Sequence, residues 1–101
     1  MSESIPQFEV TLNESQKRFE VVIGEQLAKI TYIMLGPETI IFTHTVVPFS
    51  LKGQGIAGEM ARVALDYARE NNLTVIPQCP FVRSYIERHP QYEDLVQKST
   101  R

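Results

Sequence analysis

A glycine-rich segment at residues 52–58 constrains this chain more than any other feature. The segment reads Lys-Gly-Gln-Gly-Ile-Ala-Gly and lies between an apolar, β-like run that ends near Val47 and a strongly amphipathic helical pattern. Closely spaced glycines let a backbone approach a ligand, and the first amides of a helix are unpaired donors at the positive end of its dipole. The sequence therefore predicts a strand, a tight turn and a helix that bind an anion, with a phosphate or pyrophosphate as the expected ligand.

Upstream of the glycine segment, the pattern predicts an antiparallel meander. Apolar residues alternate with polar ones, or β-branched residues accumulate, in runs separated by polar or glycine-containing breakers. These runs cover residues 8–12, 19–23, 27–35 and 38–47. The first run shows the weakest alternation, and a polar turn at residues 13–17 follows it. Gly24-Glu25 separates the second run from the third, which predicts that these two strands form a hairpin.

Downstream, the apolar period changes to that of a helix. Residues from Ile56 to Tyr67 predict a long amphipathic helix that ends at Asn71-Asn72, and residues 73–76 predict a short strand beside the meander. Residues 81–88 predict a second helix, ended by Pro90, and residues 92–96 one further turn. The sequence thus predicts an α/β (α+β) fold. A chain of 101 residues with 43% hydrophobic content fits a single domain over residues 1–101.

Charge and cysteine content limit the classes of function that fit this chain. The net charge is -2, which argues against a broad surface for nucleic acid or an anionic membrane, so a bound phosphate must be held locally. Cys79 is the single cysteine, so no disulfide within the chain and no Cys/His metal site are expected. Residues 1–6 do not resemble a signal peptide, and no window is long enough to span a membrane. A cytoplasmic protein is expected.

The glycines also match a dinucleotide-binding fingerprint. Gly53, Gly55 and Gly58 have the G-x-G-x-x-G spacing. A dinucleotide site further needs a parallel βαβ unit whose second strand ends in an acidic residue for the ribose. Here the strand after the helix ends in Ile76-Pro77-Gln78, and the motif follows an antiparallel meander. The sequence therefore disfavours a nicotinamide or flavin site.

Three blocks occur in order along residues 19–96. They are His44-Thr45-Val46, then Gly53-Gln54-Gly55-Ile56-Ala57, and then Pro77-Gln78-Cys79-Pro80-Phe81-Val82, continuing through Tyr85-Ile86 to His89-Pro90 and Tyr92. With the meander, the long helix, the short strand and the last helix, these blocks resemble the GNAT superfamily of N-acetyltransferases. The resemblance is strongest to its minimal single-domain, YjdJ-like branch.

This resemblance implies a site for acetyl-CoA and no metal. The superfamily motif R/Q-x-x-G-x-G/A falls on Lys52, Gly55 and Ala57, where lysine keeps the charge but lacks the planar fork of arginine. The backbone of residues 54–58 is expected to hold the pyrophosphate, and that around Val46 and Val47 to pair with the pantetheine arm. The expected cofactor-binding residues are Val46, Val47, Lys52, Gly53, Gln54, Gly55, Ile56, Ala57 and Gly58. Alternatively, the glycine turn only lets helix and sheet pack closely.

Three side chains are candidates for the chemistry of acetyl transfer. Tyr85 matches a superfamily tyrosine that protonates the leaving sulfur, or packs with Phe81 and Ile86 in the core. Cys79, the branch's signature cysteine, either accepts the acyl group or lies beside it without reacting. His44 is predicted on the same strand face as Ile40, Phe42 and Val46, where it relays a proton or is a hydrogen-bonded core histidine.

The resemblance implies an acetyl-CoA-dependent N-acetyltransferase that transfers the acetyl group directly to an amine. Larger members of the superfamily place two helices where this chain has only the turn at residues 13–17. The acceptor side is therefore expected to be open, and the amine to belong to a protein or peptide, or to be reached through an oligomer partner. A monomer or weak dimer is expected. The alternatives are an inactive CoA-binding or sensing module and a structural domain without a ligand.

Overall fold

The computed structural model describes residues 8–96, so the expectation for residues 1–6 lies outside the described part. The strands are β1 (Thr11–Asn13), β2 (Arg18–Ile23), β3 (Gln26–Met34), β4 (Thr39–Val46) and β5 (Thr74–Pro77), and the helices are α1 (Ile56–Glu70) and α2 (Pro80–Arg88). Short 3-10 segments lie at Phe49–Leu51 and Pro90–Leu95. The predicted element order is confirmed. The first strand, however, begins at Thr11 rather than at residue 8, and the turn at Phe49–Leu51 was not predicted.

All five strands form one sheet, in the order β1-β2-β3-β4-β5. β1 to β4 pair antiparallel as the predicted meander, whereas β5 pairs parallel with β4. Because two parallel neighbours need a crossover, α1 provides the connection, and β4, α1 and β5 form a parallel βαβ unit. β5 contains no acidic residue, so the requirement of a dinucleotide site for a ribose-binding carboxylate is still unmet there.

The helices cover one face of the sheet. Side chains on that face, among them Phe19, Ile30 and Phe42, are fully buried and share the hydrophobic core with Met60 and Leu65 of α1. The opposite face keeps partly exposed side chains, including Val22 and Ile33. The 3.6-residue period of α1 therefore reflects a one-sided contact with the sheet, as its pattern predicts. This packing places the start of α1 beside the end of β4.

A β-bulge interrupts β4. Tyr32 pairs with Phe42, but Thr31 pairs with His44, so Thr43 is an extra residue on β4. The Thr43 hydroxyl donates to the backbone oxygen of Thr31 at 3.2 Å and lies 2.6 Å from the Thr31 hydroxyl. Because side chains alternate with a period of two, one extra residue reverses which of the following residues face the core.

Among residues 8–96, neither helix combines the length and the apolar character that a membrane crossing requires.

Candidate cofactor-binding site

A cleft of about 480 Å³ lies between the end of β4, the segment leading into α1, and α2. Seven of the nine residues predicted to bind the cofactor line it: Val47, Lys52, Gly53, Gly55, Ile56, Ala57 and Gly58. Val46 and Gln54 do not line it, and both are exposed. The cleft also includes Thr45, Leu51, Phe81 and Arg88, which the sequence-based site did not contain. Its walls thus come from separate parts of the chain.

The glycine turn leaves its backbone uncovered. Gly53 and Gly55 have φ angles of +84° and +79°, and a Cβ atom at either position would meet no heavy atom within 4 Å. These left-handed conformations are where glycine is favoured, and here they keep side chains away from the start of α1. The turn is therefore not closed by its own side chains.

α1 begins without a side-chain cap. Gly55 is its N-cap residue, and the first backbone bond of the helix runs from the N–H of Glu59 to the oxygen of Gly55 at 3.0 Å. The N–H groups of residues 56–58 precede that bond, so they have no partner within the helix. Since these residues line the cleft, unpaired donors and the positive end of the helix dipole lie at one wall.

At the cleft, β4 extends beyond its parallel neighbour. β5 ends at Pro77, and its last ladder partner on β4 is Phe42, whereas β4 continues to Val46. The N–H of Cys79 still donates to the backbone oxygen of Phe42, at 2.8 Å, before α2 turns away. The last residues of β4 therefore have no strand beside them on that side within the described chain. An extended ligand can occupy this open edge.

Thr45 and Cys79 meet just beyond the end of β5. The Thr45 hydroxyl lies 3.1 Å from the Cys79 sulfur, which is buried with 2% of the residue exposed. Thr45 lines the cleft because the bulge at Thr43 turns it toward the core face. Cys79 is a candidate from the sequence, but no sequence pattern indicates that Thr45 contacts it.

The predicted position of His44 is wrong. His44 pairs with Thr31 and is exposed, so it lies on the sheet face opposite Ile40 and Phe42, which are buried. It shares that outer face with Val46. The inserted Thr43 explains the difference, since strict alternation would have put His44 and Phe42 on the same side. His44 is neither a core histidine nor a lining residue of the cleft.

Tyr85 lies between the two helices rather than on the wall of the cleft. Its ring stacks on His89 with centroids 3.9 Å apart, and Cε2 lies 3.9 Å from the position that a Cβ on Gly58 would take. Burial raises the pKa of the Tyr85 hydroxyl above its ordinary value of 10.0, so it stays protonated at neutral pH. The neighbouring Phe81, one helical turn earlier, lines the cleft instead.

Within residues 8–96, no group of three or more histidine, cysteine, aspartate or glutamate side chains is placed to hold a metal ion.

The fold and the cleft define a class of protein: a mixed α/β domain with a glycine-rich turn and an uncapped helix start, beside a strand that extends beyond its parallel neighbour. A family model described as GCN5-related N-acetyl-transferase matches residues 18–95. The chain therefore belongs to the GCN5-related N-acetyltransferase family, as the resemblance in its sequence predicts.

Individual relatives agree with this assignment. Protein NATD1 of Xenopus tropicalis is 31% identical over 93 residues, which cover 90% of this chain and 77% of that protein. Protein NATD1 of Homo sapiens is also 31% identical, with 90% and 74% covered. An NMR structure of a GCN5-like Staphylococcus aureus protein, proposed there to be an N-acetyltransferase, superimposes with a TM-score of 0.71 at 30% identity, covering 91% of this chain and 90% of that one. The predicted fold class is confirmed.

Proposed function

We propose that this protein binds acetyl-CoA in the cleft and transfers the acetyl group directly to an amine, on a protein or peptide. The observation that carries the proposal is the continuity of the cleft. It joins an uncapped helix start and a cation, Lys52, to the end of β4 and to Thr45, whose hydroxyl contacts Cys79. A long ligand with a phosphate at one end and an acyl group at the other matches this order.

The residues present fit such a ligand. Gly53 and Gly55 leave open space where a side chain would otherwise meet a phosphate, and the amides of residues 56–58 and the Lys52 ammonium supply donors for its oxygens. Val47, Leu51 and Phe81 give the wall apolar surface against which the pantetheine arm can pack. Backbone groups at the end of β4 are available to hydrogen-bond to its amides.

Bound acetyl-CoA supplies a thioester whose carbonyl carbon the neutral amine attacks, so that a C–N bond forms and the C–S bond breaks. The chain itself must orient the carbonyl, exclude water and return a proton to the departing sulfur. The Thr45 hydroxyl is the polar side-chain group of the cleft nearest to Cys79. The protonated Tyr85 hydroxyl remains the candidate acid, which must turn toward the cleft to act.

A CoA-binding or sensing module without turnover is the second candidate. The observation that favours it is that neither Tyr85 nor His44 lines the cleft. Binding requires only the turn, Lys52 and the open strand edge, whereas catalysis also needs a proton donor near the sulfur. Release of free CoA thiol from acetyl-CoA in the presence of amine acceptors separates the two candidates, because a sensing module binds CoA but releases no thiol.

Isothermal titration with CoA tests CoA binding, which both candidate functions require. We expect Gly55→Asp to abolish binding, because it places a side chain and a negative charge where the pyrophosphate lies. Gly36→Asp is the matched control, since Gly36 also has a positive φ of +72°, has open space around it and lies outside the cleft. Both variants carry the same backbone strain, of about 1–2 kcal/mol. Retained CoA affinity in folded Gly55→Asp protein contradicts the proposal.

A further inference from the structure

Arg88 is a cleft residue to which neither the glycine motif nor the resemblance assigns a role. It is the last residue of α2 and lines the same cleft as Lys52. Phe81, which lies seven residues earlier on the same helix, lines the cleft too. Residues at this spacing lie on one face of a helix, so α2 presents one continuous wall, with an aromatic ring near its beginning and a guanidinium at its end.

The guanidinium of Arg88 is held by a hydrogen bond within α2 but, among residues 8–96, forms no ion pair. Its Nη1 donates to the Ser84 hydroxyl at 2.8 Å, one turn back along α2. Within residues 8–96, Arg88 has no carboxylate partner, whereas Arg18, Arg62 and Arg69 are each paired with one. An arginine side chain has five N–H donors, so four remain for a ligand. The hydrogen bond to Ser84 limits the rotamers of Arg88, so ligand binding costs less side-chain conformational entropy.

The local charge of the cleft differs from that of the whole chain. The net charge of the protein is -2, yet the residues that line the cleft include Lys52 and Arg88 and no carboxylate. Two cations from different elements, with no carboxylate among the residues that line the cleft, favour a ligand with negative charge at two places. CoA has this distribution, with a diphosphate linkage and a separate phosphate on the ribose.

Position along α2 indicates which phosphate Arg88 meets. The helix begins directly after Cys79, at the end of the cleft where the acetyl group is expected, and Arg88 lies about 12 Å further along the helix axis. The glycine turn and Lys52 already supply donors for the diphosphate. We propose that Arg88 binds the ribose 3′-phosphate, so that the site selects CoA over carriers that lack this group. The proposal rests on the proposed function.

The test compares CoA with dephospho-CoA, which lacks only the 3′-phosphate, by isothermal titration. We expect wild-type protein to bind CoA at least tenfold more tightly, as a charge-assisted hydrogen bond to a phosphate would give. Arg88→Gln should lose at least tenfold in affinity for CoA and less than twofold for dephospho-CoA. Arg83→Gln is the matched control, because Arg83 lies on α2, donates to the backbone oxygen of Pro77 and does not line the cleft.

The outcomes separate this inference from the proposed function. If wild-type protein binds both ligands equally, or if Arg88→Gln weakens both to the same extent, the 3′-phosphate assignment is overturned while CoA binding stands. If wild-type protein binds neither ligand, the proposed function fails and the assignment fails with it. The thermal unfolding midpoint of each variant establishes that the protein is folded. An equal loss of CoA affinity in Arg83→Gln would show a general charge effect and overturn the specific role of Arg88.

Discussion

At the scale of single residues, the thiol of Cys79 is enclosed. It lies 3.1 Å from the hydroxyl of Thr45, and within residues 8–96 no histidine or carboxylate is hydrogen-bonded to it. Covalent catalysis by cysteine needs a thiolate, which a neighbouring base or cation commonly provides. A hydroxyl partner provides neither. Direct transfer from acetyl-CoA to the amine is therefore the route that this environment favours.

We predict that the intact mass of the protein is unchanged after incubation with acetyl-CoA. The measurement is mass spectrometry without an acceptor amine, under conditions in which calorimetry shows CoA bound. Cys79→Ser should keep the contact with Thr45 and bind CoA within a few-fold of wild-type protein, because serine replaces sulfur by oxygen at the same place. An acetyl adduct on wild-type protein that is absent from Cys79→Ala would instead establish an acyl-enzyme.

At the scale of elements, the 3-10 segment Pro90–Leu95 packs against α1 through side-chain hydrogen bonds. The Tyr92 hydroxyl donates to Oδ1 of Asp66 at 2.8 Å, and Arg69 of α1 contacts Asp94 at 3.0 Å and the backbone oxygen of Gln91 at 2.6 Å. Arg69 and Asp94 are exposed, so their pair adds little, whereas Tyr92 is buried. The Tyr92 hydrogen bond is thus the part of this contact with a measurable effect on stability.

Tyr92→Phe tests this contact through its pH dependence. Burial, and then the hydrogen bond to Asp66, raise the pKa of Tyr92 from 10.0 to about 12. A raised folded-state pKa gives stability that is complete below pH 10 and is lost as the pH rises through 12. We expect Tyr92→Phe to lower the free energy of unfolding by about 1 kcal/mol at pH 8.

The check is urea unfolding of both proteins at pH 8 and at pH 11.5. The difference in unfolding free energy between wild-type protein and Tyr92→Phe should narrow at the higher pH, because only in wild-type protein does unfolding there release the Tyr92 proton. Other tyrosines and lysines titrate in both proteins and cancel in the comparison. The same difference at both pH values would mean that Tyr92 contributes packing alone.

At the scale of the whole molecule, the cleft is built from residues between Thr45 and Arg88. The residues that line it begin at Thr45, so β1, β2 and β3 contribute none of them. β1 and β2 are joined by the four residues 14–17, where larger members of the superfamily place two helices. Under the proposed function, an acceptor that approaches the Thr45 end of the cleft therefore finds few side chains among residues 8–96 to enclose it.

We predict that amines on peptides or protein surfaces are better acceptors than free small amines. A peptide brings its own contact surface, whereas a small amine depends on walls that this cleft does not have. The measurement is CoA thiol release with a lysine-containing peptide and with free amines at the same concentration. The peptide should have the higher kcat/KM. Saturable turnover of a free amine, with none of the peptide, would contradict the open acceptor side.

Much of the architecture follows from local patterns. Alternation and β-branched residues marked the meander, the 3.6-residue period marked α1 and α2, and the glycines marked the turn between β4 and α1. Each pattern arises because one side of a short segment packs against the apolar core. The residues of that segment alone are therefore enough to identify the element. The glycine turn at the start of α1 could be predicted for the same reason, because its unpaired amides belong to consecutive residues.

Tertiary structure alone decided which side chains meet at the cleft. The bulge at Thr43 put Thr45 rather than His44 on the core face, although nothing in the sequence pattern of β4 marks an inserted residue. The place of Tyr85 between the helices and the presence of Arg88 in the cleft depend on how α2 packs against α1. The sequence by itself determined the elements and the glycine turn, since those depend on adjacent residues. The composition of the site depended on contacts between distant segments, which only the packed sheet and helices define.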